Sequence, residues 1–330
     1  MDDYLKYPKD RKKFPTEEVD PDHFYSDEEV KDMVKNLDSI EFSQEDYLKV
    51  YNCVHCGLCD SEMERIKLKE SFLSQGLTLE GLEEMHECFV KHRTPYPTNE
   101  MRIKRPEGIP QTSSTLFFMG CLSTIRIPRY TEHALQYLLK QGIDFTILEQ
   151  EICCGWPWFA SGSMEEFEIC KKENIKIFEQ YEKIICLCPA CYFLFNQYYK
   201  PEMNSDITFE YIIDYIKPSQ TKKSGKIGVQ HLCQLINRGR EDASELIDNI
   251  LENSGYDVAD VPHWCCGGGL GYMHRTDVID AVAKKRMEDF NREDIDFITT
   301  YCVSCWWILS RFSRKCKIHP KAKDLFELLL

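Results

Sequence analysis

The sequence predicts an α/β protein of two similar lobes, each with a small parallel sheet, preceded by a small all-helical module. Three observations carry this expectation. Beyond about residue 115, short apolar strands alternate with amphipathic helices, the pattern of parallel strands joined by helical crossovers. That pattern runs twice, and cysteines fix its register. Cys121, Cys153 and Cys154 recur as Cys233, Cys265 and Cys266, each 112 residues on; Cys188 and Cys191 recur as Cys302 and Cys305, 114 residues on. Before residue 100 the chain instead reads helical, with Leu77, Leu79, Leu82 and Met85 spaced for one helix face.

The elements follow in order. Residues 1–42 carry Pro8, Pro15 and Pro21 among acids that include Glu17, Glu18, Asp20, Asp27, Glu28 and Glu29. Such a segment cannot bury enough apolar surface to fold alone. It is read as an extended acidic arm that orders on a partner chain, with a floppy tail as the other reading. Residues 43–110 form the helical module and a linker marked by Pro95, Pro97, Pro106 and Pro110. Residues 111–222 form the first lobe, with strands at 116–119, 145–148 and 183–187. Its first helix, 130–141, turns Leu135, Leu138 and Leu139 inward and ends on Gly142. Residues 223–330 repeat the design, with strands at 227–229 and 297–300 and a helix at 242–253 ended by Gly255.

Composition narrows the function. Lys and Arg number 41 against 55 Asp and Glu, a net charge of −14 that argues against nucleic acid as a partner. Mean hydropathy is −0.43, and no long uncharged apolar run predicts a transmembrane segment. The start, Met-Asp-Asp-Tyr-Leu-Lys, lacks the apolar core of a secretory signal. The expectation is a cytoplasmic protein, peripheral to a membrane only through a partner. In that compartment 17 cysteines point to metals or redox chemistry rather than to disulfides.

Each half carries one cysteine after its first strand, then Cys-Cys-Gly, then Cys-x-x-Cys after a later strand. Zinc wants four thiolates and would leave a fifth over in both halves. Adjacent cysteines suit a multi-iron cluster better, and a vicinal disulfide would not explain the other three. Iron–sulfur is therefore favoured over zinc.

The doubled arrangement, Cys153-Cys154-Gly155 with Cys188-Pro189-Ala190-Cys191 and Cys265-Cys266-Gly267 with Cys302-Val303-Ser304-Cys305, resembles a known family. It is similar to the cysteine-rich CCG domain of heterodisulfide reductase catalytic subunits. That domain also occurs in iron–sulfur subunits of glycolate, lactate, glycerol-3-phosphate and thiol:fumarate oxidoreductases. The resemblance covers roughly residues 115–314 and implies two noncubane [4Fe-4S] clusters. Cys121, Cys153, Cys154, Cys188 and Cys191 would hold the first; Cys233, Cys265, Cys266, Cys302 and Cys305 would hold the second. It further implies reductive cleavage of one anionic disulfide, of the coenzyme M–coenzyme B type used in methanogenesis, between the two clusters. Such a subunit works only within a complex, fed by a flavoprotein, hydrogenase, formate-oxidising or membrane haem partner. The runner-up is a non-catalytic electron-transfer subunit linking a flavin dehydrogenase to a quinone or other carrier. A zinc-stapled interaction module stands only if iron is absent.

Cys53-Val-His-Cys56-Gly-Leu-Cys59 follows the ferredoxin run C-x₂-C-x₂-C, but Met63 and Glu64 stand where its Cys-Pro would continue. The region resembles a helical ferredoxin module with one of its two motifs. Cys88 is the candidate fourth ligand of a [4Fe-4S] cluster. The alternatives are a [3Fe-4S] cluster, a noncysteine fourth ligand, or Cys88 as a plain helix thiol. Arg126 and Arg238 each stand five residues after the first cysteine of their lobe. They are candidate anion contacts, or simply solvated arginines at helix starts. His274 and Arg275, after the glycine run 267–269 and Gly271, are a candidate proton donor to a leaving thiolate and a further substrate contact. The first lobe has Gly155-Trp156-Pro157-Trp158 in place of those glycines, an asymmetry that suits an asymmetric substrate. Cys170, Cys186 and Cys316 fall outside the motif and read as core or helix thiols.

Overall fold

The computed structural model describes residues 25–79, 81–270 and 275–330. Most of the acidic arm and the candidate proton donor His274 lie outside these residues. The described part of the arm includes helix α1 (Asp27–Lys35), which starts on a capping box between Ser26 and Glu29 and buries Val30. Helices α2 (Gln44–Tyr51), α3 (Glu62–Ser74) and α4 (Leu82–His92) make the expected helical module. Ser43 caps α2 through Asp46, and Leu79, Leu82 and Met85 are buried as their spacing requires.

The first lobe runs β1 (Thr115–Phe118), α5 (Pro128–Lys140), α6 (Trp156–Ser161), α7 (Met164–Phe178), β2 (Lys183–Cys186), α8 (Pro189–Leu194) and β3 (Thr208–Tyr211). A π-type turn, Leu122–Arg126, leads into α5. The second lobe runs β4 (Lys226–Val229), α9 (Cys233–Ile236), α10 (Asp242–Asn253), β5 (Asp257–Ala259), α11 (Thr276–Phe290), β6 (Phe297–Thr300), α12 (Val303–Lys315), β7 (Lys321–Asp324) and α13 (Leu325–Leu329).

Both sheets are parallel, each strand joined to the next by a helical crossover. Their orders are β1-β2-β3 and β5-β4-β6-β7. The two orders are one: the place of β5 is taken in the first lobe by a single parallel bridge from Thr146 to Leu116. The strand expected at 145–148 is thus reduced to that bridge. The central strands are buried on both faces, which is why their sequences run apolar without alternation.

The lobes are locked together by aromatic side chains. Tyr130 of α5 packs on Trp306 and Phe326, with ring centroids 5.8 and 5.5 Å away. The Tyr211 hydroxyl donates to the Tyr301 carbonyl, and Trp156 Nε1 donates to the Gly269 carbonyl at 2.7 Å. The helical module lies across both lobes. Phe89 meets Trp158 at 5.1 Å, and the Tyr51 hydroxyl donates to the Ser161 carbonyl at 2.8 Å.

Candidate metal centre

The motif cysteines sit just beyond strand ends, where an α/β sheet ordinarily builds its sites. Cys121 follows β1 by a turn at Gly120, held by Glu151, whose carboxylate accepts from Met119 N at 2.8 Å and Gly120 N at 2.6 Å. Burial pushes that carboxyl up to about 7. The Cys-Cys pairs end on Gly155 (φ +87°) and Gly267 (φ +85°), a left-handed conformation that favours glycine. These turns aim backbone donors at sulfur: Gly155 N donates to Cys153 Sγ at 3.4 Å and Gly267 N to Cys265 Sγ at 3.3 Å. Cys305 N donates likewise to Cys302 Sγ at 3.4 Å, at the N-terminus of α12.

The five thiols of each lobe converge. Cys121 and Cys153 sulfurs are 3.8 Å apart, Cys233 and Cys265 are 3.9 Å apart, and Cys266 and Cys305 are 3.1 Å apart. Packed sulfurs cannot all ionise together, so donation from neighbouring thiols favours the charged form of one of them. In both lobes it is the second of the adjacent pair. Thiol donation from Cys153 and Cys191 holds Cys154 well below the ordinary thiol range, and donation from Cys265 and Cys305 lowers Cys266 to about 6. All 17 cysteines are free thiols, so no vicinal disulfide competes for these sulfurs.

Both sets face one cavity of about 130 Å³. Cys121, Cys154, Cys188 and Cys191 line it from one lobe and Cys233, Cys265, Cys266, Cys302 and Cys305 from the other. Cys153 is fully buried beneath this lining. Trp156, Trp307, Met85 and Tyr96 complete the walls, so the helical module contributes a roof. Among the described residues, no carboxylate or imidazole lines the cavity. Soft sulfur donors alone fit iron–sulfur clusters and suit hard cations poorly.

The candidate cations separate. Arg126 lines the cavity as its one charged side chain among the described residues, its guanidinium 5.4 Å from the centre of the Tyr96 ring. Arg238 does not line it. Its guanidinium makes a bidentate pair with Glu62 at 2.6 and 2.7 Å and lies 3.9 Å from the centre of the Phe193 ring. Arg275 is also away from the lining, buried in an ion pair with Asp277 at 2.9 Å. Neither is a solvated arginine, because each is held in a buried ion pair.

The Cys53/Cys56/Cys59 loop joins α2 to α3 and docks on the second lobe. Asn237 donates to the Cys56 carbonyl at 2.8 Å, and Gln234 donates to the His55 carbonyl at 2.5 Å. Burial pushes Cys56 up to about 11, and the nearby sulfurs of Cys233, Cys53 and Cys59 add to the effect. His55 is fully buried, with Nδ1 3.2 Å from Glu62 and Nε2 2.6 Å from Lys69 Nζ. Desolvation lowers the imidazole to about 4 and Lys69 to about 8, while hydrogen bonds from His55 and Arg238 overcome burial to hold Glu62 at about 2. Cys88 is not among the sulfurs that act on Cys56. Besides burial, only Lys91, Glu84 and Glu87 of its own helix act on its thiol.

Sequence reasoning missed Met85, Tyr96 and Gln234 at the site, and it missed that Cys170 lies in hydrogen-bonding reach of Cys153. A sequence offset of 112 could have paired Cys170 with Val282 and marked it as an extra sulfur of one lobe.

The CCG cysteine-rich domain family matches residues 115–196 and 227–310, the two lobes described above. An uncharacterized iron-sulfur protein of Methanococcus maripaludis is 25% identical over 303 residues, covering 84% of this chain and 60% of that protein. A subunit of a fumarate reductase (CoM/CoB) from Methanothermobacter marburgensis is 24% identical over 195 residues, covering 57% of this chain and 40% of that subunit. Lactate utilization protein A 2 of Bacillus cereus is 22% identical over 221 residues, covering 61% of this chain and 91% of the relative. The chain thus spans three-fifths or less of the length of the first two. Among solved structures, a hypothetical protein from Helicobacter pylori superposes with a TM-score of 0.57 at 12% identity, over 95% of this chain and 69% of that one, a likeness of fold. With both copies matched over the two cysteine-bearing lobes, the chain belongs to the CCG cysteine-rich domain family.

Proposed function

We propose that the chain is the catalytic iron–sulfur subunit of a heterodisulfide-reductase-type complex, reducing a disulfide between its two lobes. One observation carries this reading: nine of the ten cysteines of the two motifs line a single cavity rather than two separate ones. Cys121, Cys153, Cys154, Cys188 and Cys191 would hold one noncubane [4Fe-4S] cluster, and Cys233, Cys265, Cys266, Cys302 and Cys305 the other. Bound there, the clusters supply single electrons to a disulfide that takes up two electrons and two protons to become two thiols.

The chain's own residues would do the rest. Arg126 would orient one anionic end of the substrate from the first lobe. Trp156, Trp307 and Tyr96 give the cavity apolar walls that exclude water from the S–S bond. Electrons would enter at the Cys53/Cys56/Cys59 loop, where Leu58 is 77% exposed beside the trio and available to a redox partner. Such partners would be flavin- or iron–sulfur-containing subunits. No described helix is long and apolar enough to cross a membrane.

The test is anaerobic isolation of the native complex, iron and acid-labile sulfide per chain, and EPR with and without candidate thiols. Three four-iron clusters give about twelve iron and two give about eight. A thiol-dependent paramagnetic signal supports disulfide reduction. Full iron content without a thiol response moves the reading to electron transfer, a role compatible with the likeness to the lactate utilization protein. Zinc in place of iron overturns both.

A further inference from the structure

Helices α7 and α11 are one element in two copies. Both run for 15 residues, and Met164 and Phe178 correspond to Thr276 and Phe290 at the offset of 112 set by the cysteines. Each packs behind its lobe's Cys-Cys-Gly turn. A Cβ on Gly155 would lie 2.7 Å from Phe167 and 3.4 Å from Cys170 Cβ; one on Gly267 would lie 3.2 Å from Val282 Cβ.

At two equivalent positions the helices differ in polarity. Where α7 has Cys170 against Cys153, α11 has Val282. Where α7 has Asn174, donating to the Cys153 and Cys170 carbonyls at 3.0 Å each, α11 has Arg286. That guanidinium is buried at 1% side-chain exposure. Its Nε donates to Gln230 Oε1 at 2.7 Å, and Nη1 donates to the Pro262 carbonyl at 2.7 Å and to Asp289 at 2.8 Å. Gln230 in turn donates to the Trp264 carbonyl at 2.9 Å, one residue before Cys265. A full positive charge therefore sits behind the second lobe's ligands, close enough to interact with Cys266 and Cys305. Asp289 offsets it only in part, being 26% exposed and so screened by solvent.

We propose that Arg286 holds the second lobe's cluster at a higher reduction potential than the first lobe's, which makes the second lobe the first acceptor of electrons. This rests on the reading that both lobes hold clusters. An added electron is an added negative charge, and a buried cation stabilises it. Behind the first lobe's ligands the aid is smaller: the Cys170 thiol lies in hydrogen-bonding reach of Cys153, but a neutral dipole acts more weakly and over a shorter range than a charge, and Arg126 stands only half-buried on the cavity side, where solvent screens it. The entry side agrees, because the Cys53/Cys56/Cys59 loop docks on the second lobe through Asn237 and Gln234. Entry point and stronger acceptor coincide.

The experiment is an EPR-monitored redox titration of the anaerobically isolated complex, with iron counted per chain. The second lobe's signal is identified as the one that Cys265→Ser abolishes. Arg286→Gln is expected to lower the reduced-to-oxidised ratio of that signal about tenfold at its former midpoint, a one-electron shift of about 59 mV. The first lobe's signal should stay in place, and Arg286→Lys should recover most of the shift. Asp289→Asn removes the partial counter-charge and is expected to move the same midpoint upward, so the assignment stays testable if Arg286→Gln loses its cluster. Full iron with an unmoved second midpoint in these variants overturns the assignment alone. Absence of iron from the second lobe of the unaltered protein overturns the cluster reading and the assignment with it.

Discussion

Arg126 and Arg238 occupy the same place in the two lobes and do opposite things. Arg126 faces the shared cavity beside Tyr96, whereas Arg238 is turned into a bidentate pair with Glu62 of the helical module. The cause is what covers each lobe. A single module lies across two similar surfaces and cannot make the same contacts with both. It lays Met85 and Tyr96 over the cavity near the first lobe's Cys121, while its cysteine loop and Glu62 dock on the second lobe at and just beyond α9. A duplicated scaffold therefore fixes where ten sulfurs stand, and the unduplicated part of the chain breaks the symmetry around them.

The largest expected effect tests that division of labour. Glu62→Gln leaves the Arg238 guanidinium in its buried place without a counter-charge; breaking such a pair costs about 3–5 kcal/mol. Arg126→Gln is expected to change stability by only about 0.5 kcal/mol while weakening binding of an anionic substrate. Denaturant unfolding of both variants is the measurement, and equal losses would break the comparison. The paired glycines come next. Alanine at either Gly155 or Gly267 must hold a positive φ, at about 1–2 kcal/mol. Gly155→Ala must also push the Phe167 ring from 2.7 Å, whereas Gly267→Ala meets Val282 at 3.2 Å. The first-lobe variant should be less stable by about 1 kcal/mol, with iron loss confined to its own lobe.

The doubled architecture was legible in the sequence because its signals are local or periodic. The cysteine offsets give the repeat, the apolar runs give β1, β2, β4 and β6, and the glycines after residues 141 and 254 end their helices with φ of +70° and +102°. Strands β3, β5 and β7 were not anticipated, because three or four residues such as Lys321–Asp324 carry no apolar run and owe their conformation to a neighbouring strand. At the site, the sulfur groups follow from spacing alone, but the environment does not. Nothing near Arg238 announces Glu62, 176 residues away, and nothing in the cysteine spacing announces that Gln234 and Asn237 of the second lobe hold the Cys53/Cys56/Cys59 loop. Long-range packing decides both, and single-sequence patterns do not encode it.

The smallest expected effect comes from a second pair of equivalent positions, the last residues of β3 and β7. Tyr211 and Asp324 each reach into the other lobe, one through a phenol donating to the Tyr301 carbonyl, the other through an ion pair with His133 of α5 at 2.8 Å. Only the second clasp titrates near neutrality. The hydrogen bond to Asp324 outweighs burial and raises the His133 imidazole above its ordinary 6.5, with Glu327 assisting and Arg129 opposing. A raised value in the folded state means that the stabilisation is complete below the ordinary value and is lost as pH climbs through the folded one. The difference in unfolding free energy between the unaltered protein and His133→Gln should then be about 1 kcal/mol at about pH 6 and shrink as pH climbs through the raised folded value. A Tyr211→Phe variant, which lacks the other clasp's hydroxyl, should show a loss that does not change over the same range. If both differences respond to pH alike, the two clasps are not chemically distinct, and the contrast between the lobes stops at the cavity.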